Sequence, residues 1–218
     1  MSCAFKILSH IEATPLGQAI CTREVLKYGS RSAVDKTMAR LVKQNVLIRL
    51  ARGVFMRMDA ETKLPSVAEL ARIKNTAFGK TLVEYGGTLA RKLGLIEAKS
   101  EQPTFYINGN STSFMYLITG TRIILKSASK KRMQLQETPQ GKIVRAVWHL
   151  GKERCTEKLV NKCLAQLPIP DISDVLALSK AWMPAWLADY FPTPHVFSSA
   201  VLSRDIFYDS NFAPASSA

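Results

Sequence analysis

Between residues 34 and 57 the apolar side chains change period, and this constrains the fold more than any other feature of the chain. Val34, Met38 and Leu41 recur at four and three residues, with Thr37 and Val42 beside them, the stripe of an amphipathic helix. After Asn45 the stripe gives way to a β-rich run, Val46-Leu47-Ile48-Arg49-Leu50. A turn at Ala51-Arg52-Gly53 and a second β-rich run, Val54-Phe55-Met56-Arg57, follow. This is a helix running directly into a hairpin with glycine in its tight loop. Upstream, Phe5, Leu8 and Ile11 stand at three-residue steps with Ile7 beside them, a helical stripe over about residues 2–13. Thr22 precedes a short helix, Arg23-Glu24-Val25-Leu26-Lys27-Tyr28, which Gly29 can stop. Ser30 and Ser32 are the N-cap candidates for the striped helix. Helix, short helix, glycine turn, basic helix and hairpin form the order of a winged helix-turn-helix, which is the fold expected for residues 1–60.

Charge narrows the choice of partner. The 218 residues carry 30 Lys and Arg against 17 Asp and Glu, a net charge of +13. Such a field favours a polyanion: DNA, RNA or an acidic membrane surface. Residues 1–60 hold ten basic and four acidic groups, and residues 61–166 hold eighteen and eight. Residues 167–218 reverse the sign, with two basic groups and five acidic ones. In the striped helix Lys36, Arg40 and Lys43 share a face away from the apolar stripe. Ser30, Arg31 and Ser32 stand at its N-terminus and Asp35 one turn in, where side chains meet phosphates and base edges. Arg52, at the hairpin tip, reaches a phosphate or the minor groove while the helix enters the major groove. The expected DNA-contacting set is therefore Ser30, Arg31, Ser32, Asp35, Lys36, Arg40, Lys43 and Arg52.

A polar stretch ending at Pro65 marks a boundary, and residues 65–166 read as a mixed α/β domain. Residues 66–78 are helical, with Val67, Leu70, Ala71, Ile73 and Phe78 apolar. Gly86-Gly87-Thr88 reads as a structural turn before a short helix at 89–95 that Gly94 stops. It has neither glycine order that cradles a nucleotide phosphate. Strands are expected at Thr104 to Ile107, Ser113 to Ile118 and Arg122 to Leu125, joined by turns at Asn108-Gly109 and Thr119-Gly120. Lys130-Lys131-Arg132 reads as a basic loop offering additional phosphate contacts. Helices follow at 142–150 and 153–166. Pro168 and Pro170 break the chain before a helical extension over 167–218, with one stretch from about Ile172 to Tyr190 bent at Pro184 and a frayed tail from Phe212. The fold class is α+β throughout.

Nothing points to an enzyme. His10, His149 and His195 are scattered, with His149 read as packed, and no carboxylate pair or nucleophile motif stands out. Cys3, Cys21, Cys155 and Cys163 lack metal-ligand spacing and read as reduced thiols, so neither metal nor cofactor is expected. Apolar runs such as Met115 to Thr119 are far shorter than the roughly 20 residues of a membrane helix, and the N-terminus lacks a secretory leader. A cytoplasmic protein without membrane association is expected.

The stretch Thr22-Arg23-Glu24-Val25-Leu26, Gly29-Ser30-Arg31-Ser32-Ala33-Val34-Asp35, Arg40-Leu41-Val42, Arg49-Leu50 and Arg52-Gly53-Val54-Phe55 resembles the winged helix of AbiEi-type antitoxins. These belong to bacterial type IV toxin–antitoxin, or abortive phage infection, systems. Further on, Gly86-Gly87-Thr88-Leu89-Ala90, Leu93-Gly94-Leu95, Gln102-Pro103 and Tyr106-Ile107-Asn108-Gly109 resemble the second-domain pattern of that family. The resemblance covers roughly residues 5–165. It implies a repressor that binds inverted repeats at its own promoter. It also implies an antitoxin domain, carrying Gly86, Gly87, Thr88, Leu93, Gly94 and Leu95, that counters a nucleotidyltransferase-like toxin without a stable complex. The residues alone leave another class open, a protein-interaction or RNA-binding module with a basic surface and no antitoxin role.

Overall fold

The computed structural model describes residues 2–97, 102–134, 136–166 and 182–191. The chain opens with α1 (Cys3–Ala13), where the Ser2 hydroxyl accepts from the Phe5 amide at 3.3 Å. Ile7 and Ile11, four residues apart, face the core, while Phe5 is 53% exposed. The stripe is thus rotated from the expected Phe5–Leu8–Ile11 line. A short strand, β1 (Ala19–Cys21), leads into α2 (Thr22–Val25), which continues as a single 3₁₀ turn, Leu26–Tyr28. Gly29 has extended backbone, and its role is space: a Cβ there would lie 2.5 Å from the Cys3 sulfur. The next helix, α3 (Arg31–Lys43), is capped by Ser30, whose hydroxyl accepts from the Ala33 amide at 3.3 Å. Ser32 lies inside its first turn and is not the cap. Asn45, at φ 58°, turns the chain out of the helix. The hairpin follows as β2 (Ile48–Ala51) and β3 (Val54–Met56), so Val46 and Leu47 precede the strand rather than open it. Gly53 in its turn has φ 77°, which favours glycine. The three strands form an antiparallel sheet in the order β1-β3-β2.

This sheet is buried on both faces, and all three residues of β3 are buried. Side chains alternate across a strand. Ile20 and Phe55 therefore join Leu47 in a core with Ile7, Ile11, Val34, Met38 and Leu41. Cys21, Val54 and Met56, with Leu50 and Ala51, point the other way into a second core. Leu70 and Ala71 of α4 (Val67–Thr76) complete that core with Leu82, Phe105, Ile107, Ile123 and Leu125 of the second sheet. α4 starts on a reciprocal cap: the Glu69 amide donates to the Ser66 hydroxyl at 3.3 Å, and the Ser66 amide donates to the Glu69 carboxylate at 2.7 Å.

The second sheet contains β4 (Leu82–Glu84), β5 (Thr104–Ile107), β6 (Thr112–Tyr116) and β7 (Thr121–Ser127) in the order β4-β5-β7-β6. β5 and β7 run parallel, and the other pairs are antiparallel. Asn108-Gly109 is therefore not a hairpin turn, because β7 lies between β5 and β6; Thr119-Gly120 does join a hairpin. Among the described residues, two bonds link this sheet to the first unit and its linker. The Leu117 amide donates to the Leu50 carbonyl at 2.8 Å, and the Tyr116 hydroxyl donates to the Pro65 carbonyl at 2.9 Å.

A helical layer completes the described chain. Its members are α5 (Gly86–Lys92), α6 (Lys130–Gln134), α7 (Pro139–Leu150), a 3₁₀ turn at Lys152–Arg154, α8 (Glu157–Leu164) and a single turn at Ala185–Ala188. Gly86 and Gly87 are the first turn of α5, not a turn before it. A Cβ on Gly86 would stand 2.5 Å from the Arg145 carbonyl oxygen, so only glycine lets α5 approach α7 this closely. Lys130, Lys131 and Arg132 lie in helix α6 rather than in a loop. Arg145 of α7 is 1% exposed. Its guanidinium donates to the Gln136 carbonyl and, at 3.3 Å, to the Glu137 carboxylate. The same carboxylate accepts from the Glu84 amide at 2.5 Å, fastening the α6–α7 connection to β4. Burial pushes the Arg145 pKa down, and Glu137 opposes that. A third core joins Ile143, Val144, Val147, Val160 and Cys163 to Met183, Leu187 and Phe191. Most of the helix expected from Ile172, and the tail from Phe212, lie outside the described residues. Pro184 caps the Ala185–Ala188 turn and starts it.

The four cysteines are free thiols, and among the described residues no helix is long and apolar enough to cross a membrane. The polar stretch at 59–65 does connect two sheets, but they share one core, so residues 1–60 do not close their own apolar surface. A fragment of residues 1–64 would expose Cys21, Leu50, Ala51, Val54 and Met56 to water. It is expected to lack the cooperative thermal transition of the full chain by circular dichroism. A fragment that melts cooperatively near the full-length midpoint would contradict the shared core.

Candidate nucleic-acid interface

α3 presents two unlike faces. Val34, Thr37, Met38 and Leu41 are buried, and the Thr37 hydroxyl is satisfied by donating to the Ala33 carbonyl at 2.8 Å. Arg31, Ser32, Asp35, Lys36, Arg40 and Lys43 are all exposed. The expected helix residues thus share one helix and its solvent side. Ser30 caps the helix with its oxygen, leaving its O–H as a donor. The Arg31 guanidinium donates to Asp35 at 2.9 Å, and both side chains are more than half exposed. Such a pair contributes at most about 1 kcal/mol, so Arg31 can exchange Asp35 for a nucleic-acid acceptor at little cost.

The hairpin brings Arg52 to the same place. Arg31, Asp35, Arg49 and Arg52 line one concavity of about 400 Å³ together with Thr22 and Phe55. Arg49 is an addition to the expected set. It is exposed on β2, with its guanidinium carbon 5.9 Å from the Phe55 ring centre. The strand pattern carried the signal, since an arginine between Ile48 and Leu50 must point away from the core that buries its neighbours. Lys36, Arg40 and Lys43 extend the basic face along α3 but do not line this concavity.

Lys74 of α4 is a second residue not anticipated. Its ammonium donates to the Arg52 carbonyl at 2.5 Å, which ties the hairpin turn to the second unit. Burial pushes the Lys74 pKa down; Cys21 opposes this, while Arg52 and Arg49 add to it. The Cys21 thiol is pushed up to about 12, by burial first and then by Glu24. The 66–78 segment shows only an apolar stripe in sequence, and a lysine on its flank carries no periodic signal.

Most of the other expected positions are packed. Arg132 places its guanidinium carbon 4.4 Å from the Trp148 ring centre and 5.4 Å from that of Tyr106, and donates to the Tyr106 hydroxyl at 3.4 Å. Lys130 and Lys131 remain exposed on α6. Gly86 and Gly87 are buried against α7, and Leu93 and Leu95 pack into the same helical layer. Gly94 ends the helix at φ 66°, and the Thr88 hydroxyl accepts from Arg91 at 3.4 Å. His149 packs edge-on against Tyr85, with ring centres 5.1 Å apart.

Residues 6–173 match the model of DUF6088, described as a family of unknown function. The chain belongs to the DUF6088 family. The match runs from within α1 to beyond α8, so the DUF6088 unit contains both sheets and the helical layer as far as α8. No curated protein matches the chain. Among solved structures, the RV2827C protein from Mycobacterium tuberculosis is similar over 88% of this chain and 78% of that one, at 12% identity and a TM-score of 0.36.

If the exposed face of α3 meets a phosphate backbone, each cation that neutralises a phosphate adds about one unit to the slope of log affinity against log salt. Replacing Lys36 and Arg40 together with alanine is expected to flatten that slope by about two units and to weaken binding to any duplex. Fluorescence anisotropy over a salt series measures it. An unchanged slope would remove both residues from the nucleic-acid surface.

Proposed function

We propose that this DUF6088 chain is a winged helix-turn-helix transcriptional repressor. In this reading it binds inverted repeats in its own promoter and serves as the antitoxin of a bacterial type IV system against a nucleotidyltransferase-like toxin. The observation that carries the DNA-binding half is the exposed face of α3, with Arg31, Ser32, Asp35, Lys36, Arg40 and Lys43 beside Arg52 of the hairpin. The element order α1-β1-α2-α3-β2-β3 and the strand order β1-β3-β2 support the winged-helix reading. In this reading α3 lies in the major groove, its first turn reads base edges, and the β2–β3 turn follows the backbone. The antitoxin half rests on the AbiEi resemblance of the second unit. The protein acts in the cytoplasm, as a binding protein without catalysis or cofactor.

Arg31→Ala separates the two activities. An arginine that reads guanine contributes about 1–3 kcal/mol of discrimination. The variant is therefore expected to bind the upstream DNA of its own gene about tenfold or more weakly, with a smaller loss on random duplex. Cells that co-express it with the neighbouring toxin gene are expected to keep growing while the promoter is derepressed. Equal losses on both DNAs would confine Arg31 to phosphate contact. Death of cells carrying the soluble variant would tie protection to DNA reading and contradict the division of labour.

A further inference from the structure

A second concavity, of about 540 Å³, lies on the other side of the hairpin turn, between α2, α4 and β6. Arg23, Arg31, Arg52, Lys74 and Lys80 line it, and no carboxylate does. Cys21, Val54 and Leu125, each at most 4% exposed, also line it. Two aromatic rings complete the wall. Phe78 is 55% exposed, with the Arg23 guanidinium carbon 5.3 Å from its ring centre. The Lys74 ammonium stands 5.2 Å from the centre of the Phe114 ring.

We propose that this cavity is a nucleotide-binding site, in which the cations hold the phosphate and the base lies against Phe78. Three features carry the inference. First, five positive side chains line one hollow whose wall holds no carboxylate, the Asp35 that pairs with Arg31 lying outside it, so an anion relieves repulsion that the free protein sustains. Burial is the first cause that pushes the Lys74 pKa down, and Arg52 of the same wall adds to it, against Cys21. Second, the volume falls within the roughly 300–1,000 Å³ of small-molecule sites and far exceeds what an inorganic anion fills. Third, a large aromatic ring left open to water beside cations suits a flat base, which stacks on aromatic and guanidinium faces. A duplex backbone also supplies phosphate but no free base for this hollow, since its bases are stacked and paired. The site needs no DNA to form and does not depend on the repressor reading. If that reading holds as well, Arg31 and Arg52 belong to both sites, and bound nucleotide competes with the operator.

The test titrates mant-ATP and mant-GTP into the full chain, with calorimetry in parallel. Saturable binding is expected, displaced by unlabelled ATP or GTP, only weakly by inorganic phosphate, and not by adenosine or guanosine. Lys74→Met, Lys80→Met and Phe78→Ala are each expected to weaken it by about tenfold, the scale of one charge-assisted bond or one stacked ring. Circular dichroism establishes that each variant is folded. Lys80→Met keeps the test sound if Lys74→Met loosens the hairpin. The proposal is overturned by absence of saturable binding in both assays, or by unaltered affinity in the folded variants. Displacement by inorganic phosphate as effective as by nucleotide also overturns it, because the hollow would then be a plain anion trap. None of these outcomes depends on whether the protein binds DNA.

Discussion

The fold depends on a three-stranded sheet that contributes to a core on each of its faces. Each strand is only three or four residues long, yet β3 sends Phe55 toward α1 and α3 while Val54 and Met56 enter the core of the second sheet. Full burial of a side chain of this size contributes about 1.5–3 kcal/mol, and both cores draw on the same three residues. One core therefore cannot open without exposing part of the other. The sheet also sets the position of the hairpin turn, because its strands are gripped from both sides and the Arg52 carbonyl is tied to Lys74. An arginine on a turn held this way has a defined location relative to α3, as the proposed groove recognition requires.

Charge is distributed to match. On α3 the buried stripe is apolar, and the exposed side holds Lys36, Arg40 and Lys43, with only Asp35 to offset Arg31. The hairpin adds Arg49 and Arg52, and α4 adds Lys74, so cations from both sheet-bearing units gather around one turn. In the second sheet and the helical layer, by contrast, several positive groups are engaged by rings and acids: Arg132 by Trp148 and Tyr106, Lys126 by Tyr85, Arg145 by Glu137, and Lys92 by Glu84. The net charge is shared by both parts of the chain, but the cations around the hairpin meet a single carboxylate, Asp35, in the walls of the two concavities.

Much of this was legible in the sequence wherever periodicity was long enough to read. The α3 stripe, its Ser30 cap, the hairpin with Gly53 and the strand Thr104–Ile107 follow from local patterns. The three-residue strands β1 and β4 did not, because so short a segment carries no period and exists only through its partners. The same limit hid the parallel β5–β7 pairing, since Asn108-Gly109 has the composition of a hairpin turn and only tertiary packing sends β6 to the outer edge. Gly86-Gly87 signalled a special backbone, but the reason is the approach of α7, a helix more than fifty residues further along the chain. Among the candidate site residues, those on α3 were readable because one helix orders them. Arg49 was readable only from strand alternation, and Lys74 not at all, because its role depends on where the hairpin folds back.

The surface that α3 and the hairpin form is proposed to read duplex DNA. Nuclease protection on the DNA upstream of the gene, with the full chain at physiological salt, tests it most directly. Protected segments are expected in inverted repeat, their centres about one helical turn apart or a multiple of it. Absence of protection, or protection that spreads evenly over any duplex, would contradict it.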